Sequence, residues 1–295
     1  MALPLQAIFV AVLVQSLWGG NPIAVKMGLE AFPPLWSALI RFVIGALCVV
    51  AWARSRGIRL LPTAAEWPRL ALVSAMFTLQ IGLMNIGFDR TTGTMGVILI
   101  STYPLWGALF SPLMVAGDRL TVTRIVGLLI AFLGTTLALS KGQDPDAPAF
   151  LAMGNVIVTL SASLLGLRLV FTARVLRGLD NVKLTAWQML LSLPFFLAGA
   201  VLFEDIEWEG FGWRPILGLL YQGVVIAGFG FTINHWMLKR YNPSVIVGFG
   251  FVSPVCGVLA AAWLLDEPLT WSVAAGAAAV GAGLIFVTWE RRLKT

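Results

Sequence analysis

Ten apolar runs alternate with short polar breaks along the chain. They cover residues 6–27, 35–53, 70–88, 94–115, 121–139, 150–171, 184–202, 214–236, 243–264 and 271–289. A helix needs roughly 20 apolar residues to cross the hydrocarbon core of a bilayer, and these runs supply them. The breaks hold Pro, Gly and charge, as in Phe32-Pro33-Pro34, Asp89-Arg90, Gly117-Asp118-Arg119 and Asp266-Glu267-Pro268. The pattern predicts an all-α integral membrane protein of ten transmembrane helices joined by short loops. Such loops leave no room for a soluble domain. The first run is long and has no basic residue before it, so it does not read as a cleavable signal.

Composition adds exclusions. Of 295 residues, 59% are hydrophobic and 12% charged, and mean hydropathy is +0.89. A soluble domain is nearer half apolar and a quarter charged. A soluble enzyme, a disordered chain and a fibrous one are excluded. Net charge is +6, yet basic charge in such a chain reads as topology and anionic-lipid contact rather than nucleic-acid binding. With both termini placed in the cytoplasm, the inner side carries fourteen Lys and Arg and the outer side four. The positive-inside rule then fixes that orientation. Cys48 and Cys256 lie in apolar runs and read as inert thiols.

The two halves resemble each other. Arg90 falls on Arg240, Thr94 on Ser244 and Pro104 on Pro254, all 150 residues apart. Gly127 falls on Gly276 and Gly134 on Gly283, with one residue deleted. Nearer the start, 16–19 falls on 163–166, and Arg41 on Gln188. Five spans per repeat is an odd number, so the second copy must enter the membrane inverted. The expected units are 1–143 and 144–295, two inverted five-helix repeats around a central cavity. Inverted repeats mark secondary transporters, whose cargo sits at the repeat interface.

Polar groups at membrane depth are costly unless they are paired, wet or used. All fourteen Asp and Glu fall in loops or at span ends. That argues against an ion-coupled antiporter with an embedded carboxylate, and against strongly cationic drugs as cargo. Gln15, Trp18, Pro22 and Lys26 share one face of span one, since their spacing follows the helical period. Either a cavity wall or a helix contact would use that face. Thr78 and Gln80 in span three, Thr102, Tyr103 and Trp106 in span four, Thr159 and Ser163 in span six, and Tyr221 and Gln222 in span eight complete the candidate cargo-binding set. Arg41 is the candidate partner for a cargo carboxylate. Arg168 could bind a carboxylate too, but, nearer the inner surface, it reads first as a snorkelling or carbonyl-capping side chain. His235 reads as structural. Pro22, Pro104 and Pro254 are candidate hinges. With one His, two separated Cys, no buried acid and no phosphate loop, nothing points to an enzyme, a metal or a cofactor.

Several motifs, in order, resemble the EamA-type members of the drug/metabolite transporter superfamily. They are Trp18-Gly19-Gly20-Asn21-Pro22 with Lys26, Pro34 with Arg41, the 101–104 stretch, Gly127 with Gly134, and Asp266-Glu267-Pro268-Leu269 before a Gly-rich helix. The resemblance covers nearly the whole chain. Within the family it is nearest the YddG-type amino-acid exporters. Span three departs from the pattern, reading Met84-Asn85-Ile86-Gly87-Phe88 where many members have Ala-Leu-x-Tyr. The resemblance implies a bacterial inner-membrane exporter of small metabolites, with a cavity lined by spans one, three, four, six, eight and nine. Its partners would be a small-molecule cargo (amino acids) and membrane lipids, with no nucleic acid, and a monomer would suffice. Lipophilic drugs, sugars or nucleotide precursors are the alternative cargoes. A channel or scaffold is the distant alternative.

Overall fold

In the computed structural model the described residues are 4–114, 121–141, 149–175, 178–206, 211–241 and 249–293. Among them every regular element is helical. The elements are α1 (Leu5–Leu29), α2 (Pro34–Ser55), α3 (Trp67–Asp89), α4 (Gly93–Ile100), α5 (Tyr103–Met114), α6 (Val122–Lys141), α7 (Ala149–Val175), α8 (Asn181–Leu190), α9 (Leu193–Phe203), α10 (Trp213–Leu220), a π-helical segment (Tyr221–Gly230), α11 (Phe231–Arg240), a 3₁₀ turn (Phe249–Phe251), α12 (Val252–Leu264) and α13 (Trp271–Leu293). Seven helical stretches are long and apolar enough to cross a bilayer. They fall on the first four expected spans and on spans six, seven and eight. Shorter apolar stretches at Ile125–Leu137, Val252–Leu264 and Trp271–Gly283 fall on spans five, nine and ten. The expected repeat boundary at 143/144, the break at Asp118, and Ser244 lie outside the described residues.

Among the described residues four expected spans are not single α-helices; span nine opens with the 3₁₀ turn. Span four breaks between α4 and α5, and span seven between α8 and α9. Each break stands just before a proline, Pro104 or Pro194, whose ring clashes with the preceding turn and lacks an N–H. A hydroxyl bridges each break: Thr102 Oγ1 donates to the Leu99 carbonyl at 2.6 Å, and Ser192 Oγ to the Met189 carbonyl at 2.7 Å. Span eight changes to π-helical winding between α10 and α11.

The interior is aromatic. Phe42 meets Phe77 edge-on at 4.8 Å and stacks near Phe196 at 5.9 Å. The outside is also apolar, with Leu47, Phe132, Phe195, Leu202 and Trp263 exposed. An exposed apolar girdle around a buried core fits lipid as the solvent.

Where helices touch most closely, the contact is backbone to backbone. A Cβ on Gly19 of α1 would lie 2.5 Å from the Ser253 carbonyl oxygen and 3.0 Å from the Gly257 nitrogen of α12. A Cβ on Gly166 of α7 would lie 2.5 Å from the Tyr103 carbonyl oxygen and 2.6 Å from the Gly107 nitrogen of α5. α6 and α13 share a third seam, where a Cβ on Gly134 would lie 3.0 Å from the Gly276 carbonyl and one on Gly283 would lie 2.5 Å from the Gly127 carbonyl. Small residues that let backbones approach are the usual glue of membrane helices.

Carboxylates from distant loops cap two helix starts at one end of the bundle. Glu204, just past α9, accepts from the Leu35 and Trp36 amides of α2 at 2.9 and 3.1 Å. Burial pushes its carboxyl up, and these amide bonds pull the other way. Glu267, just before α13, accepts from the Gly93 and Thr94 amides of α4 at 2.6 and 2.7 Å. Asp266 takes a φ of 53° there, a left-handed turn that Asp tolerates. Any side chain on Gly93 would collide with Leu265 at 2.5 Å. These contacts give the Asp266-Glu267 motif a physical reason. A carboxylate on the first free N–H groups of a helix also answers its dipole. Glu267→Ala is expected to lower stability by about 1–2 kcal/mol. Thermal unfolding in detergent reads it, and an unmoved midpoint would make the cap idle. At the opposite end Lys183 pairs with Glu66 at 3.0 Å. The Thr63 amide and then Lys183 hold the Glu66 carboxyl below its ordinary range.

Candidate functional site

The helices leave a cavity in the middle of the bundle, about 540 Å³ of empty space counting its mouth. α1 contributes Trp18, Asn21 and Pro22 to the wall. α2 contributes Arg41, and α3 contributes Gln80, Ile81, Met84 and Phe88. Ser101 and Tyr103 come from the proline break between α4 and α5, where the chain departs from one helical face. Leu165 and Arg168 of α7, Ile226 of the π segment, Phe231 of α11 and Ser253 of α12 close the far side.

Two cations stand on the wall, each packed on a buried aromatic ring behind it. The Arg41 guanidinium lies 4.9 Å from the Phe42 ring centre, and the Arg168 guanidinium 5.0 Å from that of Phe77. Phe42 and Phe77 touch each other edge-on. Arg41 is 1% exposed and Arg168 4%. Arg168 donates to Gln188 Oε1 at 3.4 Å and to Gln80 Oε1 at 3.3 Å. Gln80 in turn donates to Ser161 Oγ at 3.0 Å, which fixes its amide. Arg41 has no such cradle: its Nε and Nη1 have no hydrogen-bond partner among the described residues. Trp18 Nε1 and Asn21 Oδ1 are likewise without partners there. Trp18 stands edge-on to Phe231 at 5.2 Å. No Asp or Glu is among the described lining residues. Chemically the site offers guanidinium and indole donors, an amide acceptor, hydroxyls and flat apolar walls.

Of the residues expected at the site, Trp18, Pro22, Arg41, Gln80 and Tyr103 stand on this wall. The others stand elsewhere in the bundle. Gln15 is buried on α1, its Oε1 without a partner among the described residues. Thr78 and Thr159 donate to carbonyls of their own helices at 2.8 Å, and Thr102 bridges the α4–α5 break. Trp106 stacks on Phe110, and Ser163 is half-buried on α7. Tyr221 donates to the Leu17 carbonyl at 2.7 Å and Gln222 to the Ala24 carbonyl at 2.8 Å, tying the π segment to α1. Pro104 lies in α5 just past the break, Pro254 is buried in the first turn of α12, and Pro22 sits inside an unbroken α1. His235 is buried, 2.8 Å from Thr185 Oγ1. Sequence reasoning passed over Asn21, Ser101, Arg168 and Ser253 at the cavity. Asn21 carried a usable signal, three residues past Trp18 on the same helical face.

The family comparison decides what kind of protein this is. The model of the EamA-like transporter family matches residues 5–140 and again 152–289. The chain belongs to the EamA-like transporter family. It is thus a multi-pass membrane protein of a transporter family and not an enzyme. Among its relatives is a "Probable amino-acid metabolite efflux pump" of Escherichia coli, 25% identical over 96% of this chain and 96% of that one. The protein of the same description in Salmonella typhimurium is 25% identical over 97% of this chain and 96% of its own length. YvbV of Bacillus subtilis, described as an uncharacterized transporter, is 28% identical over 92% of this chain and 87% of its own. The fold also matches a solved crystal structure with a TM-score of 0.75, covering 98% of this chain and 99% of that one at 21% identity.

Proposed function

We propose that this family member exports small metabolites, amino acids and aromatic ones among them, from the bacterial cytoplasm across the inner membrane. One observation carries the reading: a central cavity walled from both halves of the chain, with Arg41 on its wall and its Nε and Nη1 without a partner among the described residues. A cargo carboxylate answers that donor, and Trp18, Phe88 and Phe231 offer apolar surface to the side chain. The printed descriptions of the Escherichia coli and Salmonella typhimurium relatives support the cargo class.

The mechanism in this reading is alternating access between two inverted five-helix repeats, 1–143 and 144–295, making ten spans. The double match of the family model supports it. So do the glycine seams. Gly19 and Gly166 are 147 residues apart, and their partner pairs, Ser253 with Gly257 and Tyr103 with Gly107, are each 150 apart. An axis exchanging the two halves would produce such matched contacts. Both termini face the cytoplasm in this reading, since Lys and Arg concentrate on that side. A monomer suffices, because one chain walls the cavity.

The test is efflux of radiolabelled Phe, Trp, Met, Thr and Glu from proteoliposomes, with and without an imposed pH gradient. Efflux of several amino acids, indifferent to the gradient, is the expected result, because no carboxylate lines the cavity among the described residues. Retention of all five would remove amino acids as the cargo. Efflux only under a gradient would assign the coupling elsewhere, with His235 the first group to replace.

A further inference from the structure

Two buried guanidiniums share one cavity, and no carboxylate on its described wall neutralises either. Both carry their charge near neutral pH. Like charges in a low-dielectric site raise each other's energy, and each has already lost its water. A zwitterionic neutral amino acid would answer only half of this. Its single carboxylate meets one guanidinium, and its ammonium is repelled by the other.

The two arginines also occupy related places. In the repeat register proposed above, Arg41 falls on Gln188 and Asn21 falls on Arg168. Each half thus carries one arginine and one amide at the same two positions, with the order exchanged. In the second half the pair is joined, though loosely, by the 3.4 Å bond from Arg168 to Gln188. In the first half, Arg41 Nε and Nη1 and Asn21 Oδ1 have no partners among the described residues. Arg168 Nε is also unpartnered there. Unused donors therefore remain on both cations, and an unused acceptor lies on the same wall.

From this geometry we infer that the cargo carries two carboxylates, as an acidic amino acid or a dicarboxylic acid does. One carboxylate sits on Arg41 and the other on Arg168. Asn21 Oδ1 accepts from the cargo ammonium where there is one. The inference rests on the transport reading and narrows its cargo.

The experiment loads proteoliposomes separately with glutamate, succinate, leucine, phenylalanine or lysine and follows efflux. Glutamate and succinate are expected to leave at least tenfold faster than the other three. Arg168→Gln is expected to slow glutamate efflux at least tenfold more than leucine efflux. A binding readout runs beside it: glutamate raises the melting temperature of the detergent-solubilised wild type, and leucine at the same concentration does not. Leucine or phenylalanine leaving as fast as glutamate overturns this inference and leaves the transport reading standing. Silence of every cargo, with no melting shift from any, overturns both. Glutamate efflux without succinate efflux keeps the two-carboxylate site and assigns the ammonium to Asn21, which Asn21→Leu then removes.

Discussion

Arg41→Met is expected to unfold at a higher temperature than wild type and to export at least tenfold more slowly. The wild-type guanidinium is almost fully buried, with two nitrogens unpartnered among the described residues. A buried charge without its partner is held at a cost that removing the charge relieves. Methionine keeps much of the apolar volume against Phe42 and carries no charge to desolvate. The gain should be about 1–3 kcal/mol. The loss of transport follows from the same atoms. A hydrogen bond to a charged group contributes about 1.5–3 kcal/mol, so its removal alone lowers cargo binding roughly 10- to 150-fold. Detergent melting and proteoliposome efflux measure the two effects on one preparation. Raised stability with normal efflux would place the cargo away from Arg41. Lowered stability would make Arg41 a structural clamp.

Gly166→Ala is expected to be among the most damaging single-methyl changes in the molecule. The added carbon meets the Tyr103 carbonyl at 2.5 Å and the Gly107 nitrogen at 2.6 Å. Both are backbone atoms and neither can rotate away. α5 and α7 must separate, and the strain should cost about 1–3 kcal/mol. Gly19→Ala meets the Ser253 carbonyl at 2.5 Å and the Gly257 nitrogen at 3.0 Å, so a comparable loss is expected. Gly82→Ala is the control. Its added carbon finds only Leu35 at 3.9 Å, and alanine is the better helix former. That variant should match wild type or exceed it. Melting midpoints of the three variants settle the comparison. An unaltered Gly166→Ala protein would mean that the α5–α7 contact is looser than described.

The hydrophobic pattern was enough to read an all-helical membrane protein, because lipid forces almost every backbone bond into helices. The seven long spans fall where the apolar runs predict. Single residues were harder, because a buried polar group has two uses in a membrane, and spacing does not separate them. Tyr221 and Gln222 looked like cavity donors and instead tie the π segment to backbone carbonyls of α1. A π turn advances side chains by a different angle from an α turn, so a 3.6-residue wheel loses phase across span eight. Ile226 and Phe231 do reach the cavity, but as apolar residues they stood outside a search for polar groups at membrane depth. Arg168 was misplaced for another reason. Counting from the span end put it near the surface. The bundle instead folds α3 and α8 over it, so that Gln80 and Gln188 supply its partners. Trp18, Arg41, Gln80 and Tyr103 are large or polar groups at membrane depth, and the structure sets them on the cavity wall.

The glycine crossings have a mechanical consequence. Interlocked side chains resist rotation, since each must leave its rotamer well before a helix can turn. At the Gly19–Gly257 and Gly107–Gly166 crossings no side chain from these glycines stands between the strands of backbone. Under alternating access, two such points would serve as smooth bearings rather than ratchets. A helix can pivot there while its axis stays in place, and the apolar layers above and below set the end stops. Contacts this close thus put no rotamer barrier of their own in the way of a turning helix.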